Sequence, residues 1–191
     1  MTCIIGYVHD GKVYMGCDSA SASGWETRRL GKTKKIIYLP YMGKMLLGVA
    51  GWPRVSQILC HHLKDFLDDT VFADYVTNKA WFVGEHIVEP IRSCLRRYNL
   101  LETENDIERM KDTEILLGFA GELFSIGPSF CIEQYVEPFT AIGVGSQYAM
   151  GAMEAFMLRE DFEPEFIVRQ ALRISGQFCN GVCDPYHVEV L

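Results

Sequence analysis

Thr2 is the residue of this 191-residue chain whose type and position most directly suggest chemistry. A threonine hydroxyl is a weak nucleophile until a base removes its proton. Once Met1 is removed, the α-amine of Thr2 can act as that base, because an α-amine has a pKa of about 7.7–8.0, close to working pH. A threonine after Met is common and usually has no function, so the prediction of an acyl-transferring N-terminal threonine depends on its surroundings.

Two other groups of residues offer nucleophiles, and neither has the arrangement that catalysis needs. Cys60, His61 and His62 are consecutive in a segment with helical periodicity, where adjacent residues do not face each other. Ser129 follows a proline in a predicted loop, without a helix or an elbow motif around it. We interpret the two histidines as surface residues and Ser129 as a loop residue.

The composition argues against several classes of protein. The formal net charge of −7 leaves no excess of Lys and Arg to neutralise the phosphates of a nucleic acid. The N-terminus lacks the basic and apolar regions of a signal peptide, and no apolar run is long enough to cross a bilayer. We expect a cytoplasmic protein that binds neither nucleic acid nor membrane.

The cysteines fit the same location. Their number is seven, and an odd number scattered along the chain does not suit a disulfide framework. Cys179 and Cys183 lie four apart without a second pair or a histidine cluster, which disfavours a zinc site. Reduced thiols in the cytosol are the simpler interpretation.

The elements that would position Thr2 begin with hairpins. Asp10-Gly11 is a typical hairpin turn between two apolar runs, and Asp18 follows the second run. A loop rich in Ser, Ala and Gly is expected from Ser19 to Gly24, and a second hairpin is expected to turn at 40–43. The predicted strands of this part cover 2–9, 13–17, 35–39 and 44–50.

Helical periodicity begins at Pro53 and continues to about Leu67. A second helix is predicted from Phe72 to about Tyr98, with a kink at Pro90, and the charged segment 101–111 is expected to be a surface loop. The elements predicted after it are strands at 114–119, 122–126, 131–135 and 140–144, helices at 146–159 and 163–178, and a short strand at 187–191.

Runs of strands therefore alternate with pairs of helices. This order suits two antiparallel sheets covered by helical layers, and it does not fit a doubly wound parallel sheet. We predict an α+β fold, a four-layer αββα sandwich of two antiparallel sheets covered by helices, in one domain that spans residues 1–191.

Several short motifs occur in a characteristic order. The motifs are Thr2 to Gly6, Asp10-Gly11, Cys17 to Ser19, Lys34 to Ile36, Leu47 to Gly51, Ala141 to Gly145, Tyr148 to Ala152 and, near the end, Ala171-Leu172 with Ser175 to Cys179. Together they resemble the proteasome β-type family of N-terminal-nucleophile hydrolases, and the last of them resembles its HslV-like branch. The resemblance implies the N-terminal-nucleophile hydrolase fold and a self-compartmentalising threonine-type endopeptidase.

The resemblance also implies roles for individual residues. Lys35 would lie beside Thr2, where its charge disfavours protonation of the α-amine, and Asp18 would hold Lys35 in place. The backbone N–H of Gly48 would stabilise the oxyanion, since glycine allows a close approach of the substrate. The implied substrate-binding residues are Ser21, Leu46 and Ala50, which suggests acceptance of apolar side chains.

Val144 departs from the family pattern. The family usually has a serine between the two glycines of this turn, where it helps to position the threonine amine, and valine has no polar side-chain atom for that role. Backbone groups of the turn, or Ser146, would have to replace it. Two alternative functions therefore stay open, a catalytically inactive ring or scaffold subunit and a small-molecule amidase on the same fold.

Partners and an ion follow from the resemblance as well. Subunits of this family form closed rings, so we expect identical subunits around a chamber, an ATP-dependent unfoldase, peptide or protein substrates and no organic cofactor. The HslV-like branch holds Na+ with the backbone carbonyls of a Gly-x-x-Cys-x-x-Thr turn, and Gly176, Cys179 and Val182 have that spacing here. The alternative is a plain helix C-terminus whose carbonyls bind water.

Overall fold

The computed structural model describes residues 1–23, 26–30, 34–40, 44–68, 78–159 and 161–191. Within them, two antiparallel sheets form the centre of the fold. The four-stranded sheet contains β1 (Ile4–His9), β2 (Lys12–Cys17), β12 (Phe139–Ile142) and β13 (His187–Val190), in the order β12-β1-β2-β13. The five-stranded sheet contains β5 (Ile36–Leu39), β6 (Met45–Ala50), β9 (Glu114–Phe119), β10 (Glu122–Ile126) and β11 (Ile132–Glu133), in the order β11-β10-β9-β6-β5.

Two groups of helices cover the sheets. The first group contains α1 (Pro53–His62) with a 3₁₀ turn (Leu63–Phe66), and α2 (Lys79–Val83), a π-turn (Gly84–Val88) and α3 (Glu89–Arg97) in succession. The second group contains α4 (Ser146–Met157) and α5 (Pro164–Phe178). Proline occupies the first turn of α1, α3 and α5, where its missing N–H has no helical partner to lose.

Three clusters of buried apolar residues define four layers. One cluster packs α1, α2 and α3 on the outer face of the five-stranded sheet, and another packs α4 and α5 on the outer face of the four-stranded sheet. The third lies between the two sheets and contains Ile4, Met15, Leu46 and Leu116. The αββα sandwich predicted from the sequence is therefore confirmed.

The kink predicted at Pro90 takes the form of a π-turn. Proline has no N–H to donate to the carbonyl four residues earlier, and the π-turn Gly84–Val88 lies directly before α3, in which Pro90 sits. The predicted start of this helix at Phe72 lies outside the described residues, and so do residues 41–43 of the turn predicted at 40–43.

Two segments predicted as loops are paired strands. Residues from Ser19 to Gly24 were expected to be irregular, but Ala20–Ser23 form β3, which pairs with β4 (Glu26–Arg29), and Gly24 lies outside the described residues. The segment 101–111 is a hairpin of β7 (Leu101–Glu104) and β8 (Ile107–Met110). Asn105 and Asp106 both have positive φ, at 51° and 62°, which is the geometry of a type I′ hairpin turn. Both pairs were missed because their strands carry no alternation of apolar residues.

Glycines allow the two sheets to approach each other. A Cβ added at Gly48 in β6 would lie 2.6 Å from Ile4 Cγ2 and 3.1 Å from Met15 Sδ, both on the opposite sheet. A Cβ added at Gly118 in β9 would lie 2.7 Å from Val13 Cγ1. The inter-sheet core therefore has no room for even one methyl group at these positions.

Replacing Gly48 by alanine is expected to lower the free energy of unfolding by about 1–3 kcal/mol, because the added methyl group overpacks the inter-sheet core. Urea unfolding measures the change. The matched control is Gly151→Ala in α4, where an added Cβ meets no atom within 4 Å, and there alanine should stabilise by about 0.4–1 kcal/mol. Equal stabilities of Gly48→Ala and the unaltered chain would contradict this account of the core.

Candidate active site

The carboxylate of Asp18 is buried where β2 ends, and it accepts hydrogen bonds from four directions. Oδ1 accepts from the backbone N–H of Cys3 at 2.9 Å and from Lys35 Nζ at 2.7 Å. Oδ2 accepts from the backbone N–H of Ala20 at 2.7 Å and from that of Cys183 at 3.4 Å. A buried carboxylate needs such partners, because an unpaired charge in the interior is costly. Asp18 thus links the N-terminus, β3, the start of β5 and the C-terminal segment.

Of the two adjacent lysines, Lys35 is the one that reaches this carboxylate. Its side chain is only 8% exposed, while that of Lys34 is 76% exposed and lies 3.7 Å from Glu189. Successive residues of an extended chain point to opposite sides, so only one of the pair can face inward. The carbonyl of Lys35 also accepts from the N–H of Val49, which fixes the start of β5 against β6.

Thr2 lies directly before β1 and is held by its backbone. Its carbonyl accepts from the N–H of Gly145 at 3.3 Å, and its hydroxyl donates to the carbonyl of Met1 at 2.5 Å. The residue is 5% exposed. While Met1 is attached, the nitrogen of Thr2 is an amide, which cannot accept a proton. Met1 itself packs on Gly181, where an added Cβ would lie 2.6 Å from Met1 Cβ.

The turn from Gly143 to Gly145 surrounds the carbonyl of Thr2. Gly143 has φ of +87°, and a Cβ added there would lie 2.4 Å from that carbonyl oxygen. The turn is braced on both sides, since the N–H of Gly143 donates to Glu114 Oε2 at 3.1 Å and Ser175 Oγ donates to the carbonyl of Gly145 at 2.9 Å. Sequence reasoning missed Glu114 and Ser175, because neither lies in a motif near Thr2.

Val144 and Ser146 have different places in this turn. Val144 is 51% exposed, so it does not occupy the interior beside Thr2. Ser146 is half-buried at the first position of α4, and its backbone N–H donates to the carbonyl of Gly143 at 3.0 Å. Among the described residues, Ser146 makes no side-chain hydrogen bond to Thr2, so the turn holds Thr2 through backbone groups.

A cleft of about 90 Å³ opens beside Thr2. Ser21 and Lys35, two residues that we expected at the site, line it, and so do Val49, Gly51 and Trp52. Leu46, Gly48 and Ala50 do not line it. They alternate on the face of β6 that turns into the inter-sheet core, where Leu46 is fully buried and Ala50 is 3% exposed.

The predictions for β6 therefore need a correction. Gly48 lies in the middle of the sheet, between Ile36 and Leu116, and its role is close packing rather than contact with a substrate. The glycine at the cleft is Gly51, which has φ of +134°. A Cβ added there would lie 2.1 Å from the carbonyl oxygen of Asp112, so only glycine fits. The sequence does contain a signal for Gly51: it directly follows a predicted strand, and it comes two residues before Pro53, which begins a helix.

A thiol lies next to the nucleophile candidate, but it is not suited to replace it. Cys3 is fully buried, and burial raises the pKa of its thiol to about 12. Burial raises the pKa of Cys17 to about 12 as well. Because the thiolate is the reactive form, both groups stay protonated and inert near neutral pH.

The other candidates from the sequence lie away from this cleft. His61 is exposed, and the ring of His62 stacks on Tyr98 with centroids 4.6 Å apart. Ser129 is exposed in a loop, as expected. Among the described residues, no group of three His, Cys, Asp or Glu side chains is placed to hold a metal ion. No helix in the described part of the chain has both the length and the apolar character needed to cross a membrane.

The end of α5 brings together the three residues predicted for a cation. Gly176 lies in the last turn of α5, where carbonyls have no partner further along the helix. The N–H of Val182 donates to the carbonyl of Cys179 at 3.1 Å, which closes a turn after the helix. A Cβ added at Gly176 would lie 3.4 Å from the carbonyl oxygen of Val182, so this oxygen lies close to the end of α5. The groups that the sequence analysis expected to hold a cation here are backbone carbonyl oxygens, which are hard ligands.

Comparison with known proteins identifies relatives along nearly the whole chain. No protein-family model matches. The ATP-dependent protease subunit HslV of Sulfurovum sp. (strain NBC37-1) is 24% identical over 178 residues, which cover 93% of this chain and 91% of that protein. HslV of Aquifex aeolicus (strain VF5) is 26% identical over 192 residues, which cover 98% of this chain and 96% of that protein.

Solved structures share the fold. BPH from Thiobacillus denitrificans has a TM-score of 0.76 at 19% sequence identity, with 99% of this chain and 97% of that chain covered. Eukaryotic HslV from Trypanosoma brucei has a TM-score of 0.72 at 18% identity, with coverage of 99% and 98%. The resemblance inferred from short motifs is therefore confirmed by the two HslV relatives, whose matches cover more than nine-tenths of each chain.

Proposed function

Because this chain is HslV-like over nearly its whole length, we propose that it is a threonine-type endopeptidase subunit that acts through Thr2 after Met1 has been removed. The observation that carries the proposal is the buried ion pair of Lys35 and Asp18, 2.7 Å apart, because Lys35 lines the cleft that also contains Thr2. A buried lysine tied to a carboxylate beside a hydroxyl nucleophile is an arrangement for controlling a proton.

In the proposed reaction, Thr2 Oγ1 attacks the carbonyl carbon of a peptide bond while its proton passes to the α-amine of Thr2. The carbon–nitrogen bond of the substrate then breaks, and the amine returns the proton to the leaving nitrogen. An ester between the substrate acyl group and Thr2 remains. The same amine takes a proton from water, which hydrolyses the ester and restores the free threonine.

Two groups would stabilise charge during these steps. The ammonium of Lys35 disfavours a second positive charge on the neighbouring amine, which keeps the amine free to accept a proton. The oxyanion that forms on the substrate carbonyl needs a donor at the cleft, and we assign this role to the backbone N–H of Gly51 rather than to that of Gly48. Gly51 lines the cleft, whereas Gly48 is packed between the sheets.

The relatives are named subunits of an ATP-dependent protease, and this supports a proposal about assembly. We propose that identical copies of this chain form closed rings around a chamber, that an ATP-dependent unfoldase supplies polypeptide substrates, and that the complex works in the cytoplasm. Closed rings satisfy every interface of the subunit. A species of 21.7 kDa in sedimentation at micromolar concentration would contradict the ring.

A second candidate function is a ring subunit without catalysis, and Val144 is the observation that favours it. Its side chain is exposed and cannot supply the hydroxyl that the family has at this position. The bracing of the turn by Glu114 and Ser175 argues for competence, since Thr2 is positioned without that hydroxyl.

Removal of Met1 is expected to switch activity on. Protein with a free Thr2 amine should degrade an unfolded polypeptide such as reduced α-lactalbumin, whereas protein that retains Met1 should not, because its amide nitrogen cannot act as a base. Thr2→Ala should lose Met1 in the same way and should degrade nothing. Intact-mass measurement and peptide release follow the two steps. Full activity with Met1 attached would exclude the proposed base, and activity of Thr2→Ala would exclude the nucleophile.

Alanine substitutions at Lys35 and Lys34 are expected to have very different effects on activity. Lys35→Ala should lower kcat/KM at least ~100-fold, the order of magnitude that acid–base groups contribute. Asp18 would keep its three backbone donors, so the fold should persist and circular dichroism should be unchanged. Lys34 also lines the cleft, but its side chain is 76% exposed and lies 3.7 Å from Glu189 rather than on Asp18, so Lys34→Ala should lower kcat/KM far less than Lys35→Ala does. Equal losses in both variants would show that the lysine charge acts only at long range.

We also propose that the carbonyls of Gly176, Cys179 and Val182 hold Na+, which would fix the C-terminal segment beside Asp18. Binding to the folded form alone raises stability, so the unfolding temperature should be higher in sodium chloride than in tetramethylammonium chloride at the same ionic strength. Gly176→Ala should remove the difference, because its Cβ would lie 2.3 Å from Tyr186 Oη and disturb the turn. Identical unfolding temperatures of the unaltered chain in the two salts would contradict the site.

A further inference from the structure

Trp52 is a large apolar side chain that stays exposed inside the cleft of the candidate active site. It lines the same cleft as Thr2, and 43% of its surface is open. Tryptophan has a wide apolar face, and leaving it in water beside a reactive group is unfavourable unless a ligand covers it. The position therefore suits contact with a substrate.

The backbone around Trp52 is fixed, so the ring is presented in a defined place. The N–H of Trp52 donates to Thr113 Oγ1 at 3.2 Å, and Thr113 Oγ1 donates in turn to the carbonyl of Lys111 at 2.7 Å. Gly51 on one side packs against the carbonyl of Asp112, and Pro53 on the other side begins α1. A side chain on such a support can bind a ligand without a large loss of conformational entropy.

One partner of the ring is already present. Lys111 Nζ lies 5.9 Å from the centre of the ring, within the range of a cation–π contact. This contact orients the ring and still leaves 43% of the side chain exposed. The exposed part is the surface that a substrate could cover.

The rest of the cleft defines which side chain would fit. Leu30, Val49 and Pro53 add apolar surface to that of Trp52, and Lys34 and Lys35 add positive charge. Among the described residues, no acidic side chain lines the cleft. A basic substrate side chain would find no charge partner there, whereas an apolar one would find a continuous wall.

From these observations we propose that Trp52 is a specificity-determining residue that binds an apolar, preferably aromatic, side chain of the polypeptide substrate next to the bond to be cleaved. This inference rests on the proposed function, because it places a polypeptide in the cleft of Thr2. It goes further by naming the chemical class of residue that the site selects.

Binding can be tested without catalysis. In a Thr2→Ala chain with Trp25→Phe and Trp81→Phe, Trp52 is the only tryptophan. Tetrapeptides that differ only in one residue, Phe, Leu, Ala or Lys, serve as probes. The Phe and Leu peptides should change the emission of Trp52 and bind about tenfold more tightly than the Lys peptide, as expected for one well-covered aromatic contact.

Kinetics of the active chain give a second readout. Trp52→Ala should raise KM for the Phe peptide about tenfold, with a smaller change in kcat, and should remove the preference for Phe over Lys. Trp52→Phe should restore most of the preference. The control is Trp81→Ala, since Trp81 is similarly exposed, at 48%, but lies on α2 outside the cleft.

The outcomes separate this inference from the proposed function. If the chain cleaves peptides and Trp52→Ala keeps both KM and the preference for Phe, the specificity role is wrong while the function stands. If peptides change the emission of Trp52 but the active chain cleaves none of them, the binding role stands and the proposed peptidase activity is wrong. Emission that is indifferent to every peptide, with an unchanged preference in Trp52→Ala, overturns the inference.

Discussion

The carboxylate of Asp18 is the interaction on which the arrangement of the site depends. It receives N–H groups from the residues beside Thr2, from β3 and from the C-terminal segment, together with the ammonium of Lys35. These donors belong to residues 3, 20, 35 and 183, so they come from different parts of the chain. A single buried charge that requires several donors thus makes four separate segments meet, because leaving any oxygen unsatisfied would cost free energy.

Strand alternation explains both the success and the failure of the sequence analysis at β6. The sequence correctly predicted this strand, its hairpin with β5 and the helix after it, since long apolar runs and Pro53 are strong local signals. The resemblance placed Leu46, Gly48 and Ala50 at the cleft, one position out of phase with Val49 and Gly51, which line it. A shift of one residue moves every side chain to the other face of a sheet, and a short apolar run does not reveal which face is which.

Other parts of the site depend on tertiary contacts that leave little trace in the sequence. The pairing of Asp18 with Lys35 was predicted from a resemblance, and spacing along the chain alone would not have selected Lys35 over Lys34. Glu114 and Ser175 reach the turn at Gly143 and Gly145 from β9 and α5, about 30 residues away on either side. The hairpin β7–β8 and the β3–β4 pair were missed because their strands consist mostly of charged and small residues, which give no alternation of apolar and polar positions.

Ser175 gives the outer helical layer a part in the geometry of the site. The buried residues of α5 are Pro164, Ile167, Val168, Ala171, Leu172 and Ser175, and Ser175 is the only polar member. The hydroxyl of Ser175 donates a hydrogen bond to the carbonyl of Gly145, and the N–H of Gly145 donates to the carbonyl of Thr2. In evolutionary terms, the apolar positions of α5 can drift among residues of similar volume, whereas the position of Ser175 is constrained because its hydroxyl holds the turn that binds the carbonyl of Thr2. Selection on the position of Thr2 would thus be visible on a helix that contributes no residue to the lining of the cleft.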